Sequence, residues 1–243
     1  MRYKLTLSYD GSDFFGFQVQ DDLRTVEKEI VNALKIMTDQ DVKIYASGRT
    51  DRYVHARGQV IHFDIPNDIP PNRFKKAINN ILPHDIYVIN VEYAKEDFHA
   101  RFSALSKEYR YYISLGEVDP FKSRYISYYN NLDINLMDDA IKLFIGKHDF
   151  KGFASSQIDE RKDTVKEVFE AKINKLNDFE YEFVFVGTGF LKYQIRRMMG
   201  ALIEIGRGKE DKSLITKVLE LKDPKICHKV ADGAGLYLHK VNY

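Results

Sequence analysis

Residues 3–9, YKLTLSY, alternate strictly, so that Tyr3, Leu5, Leu7 and Tyr9 share one face before the turn Asp10-Gly11-Ser12. Period-two alternation marks a strand with one face buried, and such a strand must lay that face on a second layer. The next segment supplies one: TVEKEIVNALKIMT carries Val26, Ile30, Leu34 and Met37 at helical spacing. Thr25 reads as its N-cap, with Glu27 and Glu29 in the dipole-favoured first turn. VKIYAS (42–47) and GQVIHFDI (58–65) read as strands, Pro71 starts a helix through Phe74, Ala77, Ile78 and Ile81, and DIYVINVEYA (85–94) returns as a strand.

The second half uses similar parts. KEYRYYISL (107–115) is a strand, and NLMDDAIKLFIG is a helix expected to be capped by Asn135 and stopped by Gly146. VKEVFEAKINKL and FEYEFVFVGTGF form an antiparallel hairpin around Asn177-Asp178. YQIRRMMGALIEIG is a helix with Ile195, Met198, Met199, Leu202 and Ile203 inward, ended by Gly206; a shorter helix, DKSLITKVLEL, precedes a last strand, GLYLHKVNY. Strands outnumber helices and the helices come singly between hairpins, which means α+β with a largely antiparallel sheet. Two similar halves are expected, 1–102 and 103–243, sharing one continuous sheet because no low-complexity linker divides them.

Composition narrows the function classes. A chain of 243 residues with 44% hydrophobic content is an ordinary globular protein. No apolar run approaches the roughly 18 residues that span a bilayer, and the first residues lack a signal-peptide core, so no membrane partner is expected. The single cysteine, Cys227, excludes an intramolecular disulfide and a cysteine-based zinc cluster, and points to a reducing, cytoplasmic setting. Net charge is only +1, but basic residues gather at 49–57, 101–110 and 192–209, and patches matter for phosphate binding more than totals do.

No glycine-rich phosphate loop and no Gly-x-Ser-x-Gly elbow occurs. His55 and His62 have no acids at ligand spacing and read as a surface and a sheet histidine, so no metal site is expected. What remains is GRTDRYVHARGQVIHF (48–63), which puts Asp51 among Arg49, Arg52 and Arg57. A carboxylate close to a guanidinium stays ionised at neutral pH, making it a poor general acid but a serviceable nucleophile or cation stabiliser. The alternative is a structural Arg–Asp pair fixing the turn. YRYY (109–112) places Tyr109 and Tyr111 on one side of a strand and Arg110 and Tyr112 on the other. Arg196 and Arg197 lie in a helix's first turn, where a cation opposes the dipole and calls for an anionic partner.

YDGSDFFGFQ (9–18), the 48–63 loop, NNILPHDI (79–86), FHARFSALSKEYRYYI (98–113), GKHDFKGF (146–153), FLKYQIRRMMGALIEIGRG (190–208) and GLYLHKVNY (235–243) together resemble the tRNA pseudouridine synthase A family, in its order and over most of the chain. The resemblance implies isomerisation of uridine to pseudouridine in the anticodon stem-loop of tRNA, at positions 38 to 40. It also implies no metal or organic cofactor, a homodimer, and two α+β halves sharing an antiparallel sheet, with helices on one side and an RNA-binding cleft on the other. Asp51 matches the catalytic aspartate, Tyr109 the tyrosine that stacks on the target base, and Arg196 the basic residue paired with the aspartate. Arg49 matches the arginine linked to extruding the nucleotide, and Leu236 the apolar contact to uracil; Arg52 and Arg197 are further candidates for holding substrate. Where the family usually reads Ala-Gly after the aspartate, this chain reads Arg52-Tyr53. The alternatives are a paralogue acting on another tRNA or rRNA site, and a non-catalytic RNA-binding or chaperone protein.

Overall fold

The alternation at the start of the chain becomes β1 (Arg2–Tyr9), whose every second residue is buried. In a computed structural model describing residues 1–158 and 163–243, two units are distinguished: Met1–Leu105 with Tyr237–Tyr243, and Ser106–Leu236. The first unit continues through α1 (Val26–Thr38), β2 (Tyr45–Ala46), β3 (His55–Asp64), α2 (Pro71–Ile81) and β4 (Ile86–Tyr93). β1 lies between β4 and β3, antiparallel to both. Thr25 caps α1 by accepting from the Lys28 amide, as its position before the helix requires. Pro71 occupies the start of α2, where a missing N–H costs nothing. The apolar face of the sheet then meets helix side chains directly: Tyr3 stacks on Phe74 at 5.0 Å and on Phe63 at 5.9 Å. Burying each such ring stabilises by about 1.5–3 kcal/mol.

The second unit comprises β5 (Ser106–Ser114), β6 (Ser127–Tyr128), α3 (Ile134–Ile141), β7 (Gly146–Asp149), β8 (Val165–Lys175), β9 (Glu180–Gly187), α4 (Gln194–Gly206) and α5 (Ser213–Leu221). β5, β9, β8 and β7 pair antiparallel in that order, and β6 lies parallel to β5. Met137, Met198, Leu202, Phe183 and Phe185 are fully buried, placing the core between α3, α4 and the sheet. Gly206 lets α3 and α4 approach, since a Cβ there would lie 2.7 Å from Met137 Sδ. The last strand, β10 (Leu236–Asn242), runs parallel to β3 through Tyr237↔His55 and Leu238↔Ala56.

Three local expectations are corrected. The cap of α3 is Asp133, whose carboxylate accepts from Asn135 and Leu136 amides at 2.8 and 3.3 Å; Asn135 sits inside the helix as a donor. α3 stops at Ile141 and tightens into a 3₁₀ turn at Lys142–Phe144, while Gly146, with φ of 110°, opens β7. The 42–47 strand shortens to Tyr45–Ala46, which pairs antiparallel with Ile61 and His62 of β3. Among the described residues, no helix is long and apolar enough to cross a membrane.

Candidate active site

In the first unit, the segment before β3 is tied down from beneath. Ser47 Oγ donates to Gln59 Oε1 at 2.7 Å, and Gln59 Nε2 donates to the Gly48 carbonyl at 2.8 Å. The Tyr9 hydroxyl pairs with Thr50 Oγ1 at 2.8 Å, and the Phe17 amide donates to the Thr50 carbonyl at 3.0 Å. Burial pushes the Tyr9 phenol up to about 12, so it stays neutral. Gly16, with φ of 95°, closes the other side; a Cβ there would meet the Thr50 carbonyl at 3.0 Å. The chain turns immediately after Thr50, where the Val54 amide donates to the Asp51 carbonyl at 3.2 Å.

Asp51 is therefore a half-buried carboxylate on a fixed backbone, between the exposed side chains of Arg49 and Arg52. Tyr53, two residues on, has φ of 67°. That left-handed conformation costs a non-glycine residue roughly 1–2 kcal/mol. The Arg52 guanidinium lies 4.2 Å from the Phe15 ring centre and 4.5 Å from that of Tyr53. His55, expected at the surface, is buried instead: its Nδ1 accepts from the Gly11 amide at 3.0 Å and its ring stacks on Tyr237 at 4.6 Å. The half-buried YDG turn and the parallel β10 enclose it, and neither is visible from its own neighbours in sequence.

In the second unit, Tyr109 stands on β5 opposite Phe185 and is 9% exposed. Its ring meets Phe190 edge-on, with centres 5.3 Å apart. Arg196, in the first turn of α4, donates from Nε to the Ala231 carbonyl at 2.8 Å, and the Ala231 amide donates back to the Arg196 carbonyl at 2.9 Å. Its guanidinium lies 5.2 Å from the ring of Tyr193, which begins the helix at φ of 66°. Arg197 turns elsewhere: its Nη1 donates to the Pro224 and Cys227 carbonyls at 2.8 and 3.1 Å, pinning the 224–227 segment. Leu236 is buried just after Gly235, where a Cβ would strike the Tyr112 carbonyl at 2.6 Å.

The other side of β5 carries a second cation. Arg110 donates to Glu108 and Glu182 at 2.7 and 2.9 Å, and Tyr112 and Asn174 also donate to Glu182. Burial opposes the charge on Glu182, but these donors and the guanidinium outweigh it and hold its carboxyl below the usual range. Arg110 is thus satisfied within the sheet. Sequence reading missed Phe15, Phe190 and Tyr193, the aromatic partners of the candidate residues. Only Tyr193, one helical turn before Arg196, had a spacing that hinted at its partner; Phe15 and Phe190 are far from Arg52 and Tyr109 in the chain, and aromatic residues more often fill cores.

The family described as tRNA pseudouridine synthase matches residues 6–103 and 140–243. The chain is 45% identical over 245 residues to tRNA pseudouridine synthase A of Exiguobacterium sp. (strain ATCC BAA-1283 / AT1b), covering 100% of this chain and 98% of that protein. It is 42% identical over 245 residues to tRNA pseudouridine synthase A of Anoxybacillus flavithermus (strain DSM 21510 / WK1), with the same coverage of both chains, 100% and 98%. Against tRNA pseudouridine synthase A of Lactobacillus helveticus (strain DPC 4571) the identity is 44% over 248 residues, covering 100% of this chain and 94% of that protein.

Proposed function

The chain belongs to the tRNA pseudouridine synthase family, and we propose that it isomerises uridine to pseudouridine in the anticodon stem-loop of tRNA, at positions 38 to 40, with Asp51 as the catalytic carboxylate. The observation that carries this reading is the fixed backbone of residues 47–54, which presents Asp51 between two exposed arginines. The reaction breaks the N1–C1′ bond, turns the uracil, and joins C5 to C1′. A proton leaves C5 and one is gained at N1, so product and substrate are isomers and nothing is hydrolysed or oxidised. A carboxylate serves this chemistry by attacking the nucleotide or by steering proton loss at the sugar, and both demand a held position.

The other candidate residues take roles that fit their chemistry. Tyr109 stacks on the flipped uracil, and Leu236 contacts it. Stacking contributes roughly 1–3 kcal/mol per base, offsetting the few kcal/mol lost when a stem uridine leaves its helix. Arg196 serves the reaction by its charge, Arg49 helps to extrude the nucleotide, Arg52 holds substrate, and Arg197 acts through the segment it pins. No metal or organic cofactor takes part. The protein works in the cytoplasm as a homodimer.

The test is release of tritium from tRNA transcripts labelled at uracil C5, with the product mapped by pseudouridine-specific sequencing and the mass of the same preparation taken by light scattering. Release confined to positions 38 to 40, from a species near twice 28.4 kDa, is expected. Modification elsewhere would move the substrate site, a monomer would remove the dimer, and no release from any tRNA would overturn the reading.

A further inference from the structure

One feature of the 48–63 loop is absorbed neither by the reaction nor by the fold. Tyr53 is 38% exposed, is held in the left-handed region, and carries the Arg52 guanidinium over its ring. The ring lies outside the buried core, and a glycine would sit there without strain. Arg52 is likewise exposed, and among the described residues it makes no hydrogen bond or ion pair with protein. Its guanidinium rests on the Phe15 and Tyr53 rings, which engage the π-face and leave the N–H edges available. Arg49 is exposed in the same loop and Arg57 on β3 just beyond it, and Asp51 is the only carboxylate between residues 47 and 63.

We propose that Phe15, Arg52 and Tyr53 form a docking clamp for an unpaired nucleotide of the RNA substrate, Tyr53 stacking on the base and Arg52 holding its phosphate. The proposal rests on the reading above. Strain kept at an exposed residue is a mark of function rather than packing. An outward aromatic face beside an unpaired cation suits single-stranded nucleic acid, because every base has a face to stack and every nucleotide a phosphate. A base paired within a duplex hides that face, so the clamp selects a loop or already opened nucleotide beside the one that reacts. It thereby makes Tyr53 a determinant of which uridine reaches Asp51.

Binding of full-length protein to tRNA transcripts, followed by filter retention across salt concentrations, tests the clamp alongside KM and kcat for tritium release. Tyr53→Gly is expected to weaken binding about tenfold, with the loss falling on KM and with Tm at or above that of the parent, since the strain is relieved. Tyr53→Phe keeps the ring and is expected to restore binding. Arg52→Ala is expected to lower the slope of log affinity against log salt by about one. Parental affinity in Tyr53→Gly would overturn the clamp. So would equal weakness in Tyr53→Phe, or a Tyr53→Gly loss accompanied by a fall of several degrees in Tm, which would make the ring structural. A parent protein that binds tRNA yet releases no tritium would overturn the reaction and leave the clamp to be judged on binding alone.

Discussion

At the residue scale, two aromatic side chains occupy left-handed backbone, Tyr53 and Tyr193, and each lies within three residues of a proposed catalytic group and carries an arginine on its ring. Among the described residues, the remaining non-glycine residues of that kind are Asp22, Asp39, Asn131 and Lys222. Aspartate and asparagine tolerate the conformation through local hydrogen bonding, and Lys222 ends α5. Histidine gives a second residue-level consequence. His62 is buried, stacks on Tyr45 at 4.9 Å and faces His99 at 4.7 Å. Burial, with the nearby His99 and Arg2 charges, lowers its value from 6.5 to about 4. The unfolded chain therefore takes up this proton before the folded one. Stability from this group is full above about pH 6.5 and falls as pH drops toward 4. Urea titrations at successive pH values are expected to show that decline, and His62→Gln should flatten it; an equal decline in the variant would contradict the assignment.

At the element scale, long amphipathic segments were legible and short ones were not. β1, α1, α2 and α4 follow from periodicity because each lays a face on its own unit's core, whereas the 165–187 hairpin follows from its two apolar runs and the Asn177-Asp178 turn between them. β2 and β6 have two residues each, too few to show a period, and exist because β3 and β5 offer open edges. The α3 cap was misplaced by two residues because Asp133 and Asn135 are both good caps by type, and only the backbone decides between them. Gly200 shows what spacing cannot. A Cβ there would lie 2.1 Å from the Lys229 carbonyl, so glycine is what lets the segment leading to Ala231 lie against α4 and exchange hydrogen bonds with Arg196. Gly200→Ala is expected to cost about 1–3 kcal/mol in chemical denaturation and to reduce activity further than stability alone explains. Unchanged stability would mean that the segment moves aside freely.

At the scale of the whole molecule, the site was legible as residue types before it was legible as geometry. From the loop alone, Asp51 among arginines reads as a structural ion pair. The support beneath it comes from Gln59 in the same segment and from Tyr9 and Phe17, which reach it from a distant part of the chain through the β1–β3 register and the Gly16 turn. β10 likewise joins the first unit after more than a hundred intervening residues, a return that no local pattern announces. The central claim is that this supported carboxylate performs the isomerisation. Asp51→Asn keeps the size and the turn and removes the charge. Tritium release from C5-labelled tRNA, measured with this variant beside the parent at matched tRNA affinity, is expected to fall to background. Release at the parental rate would contradict the account.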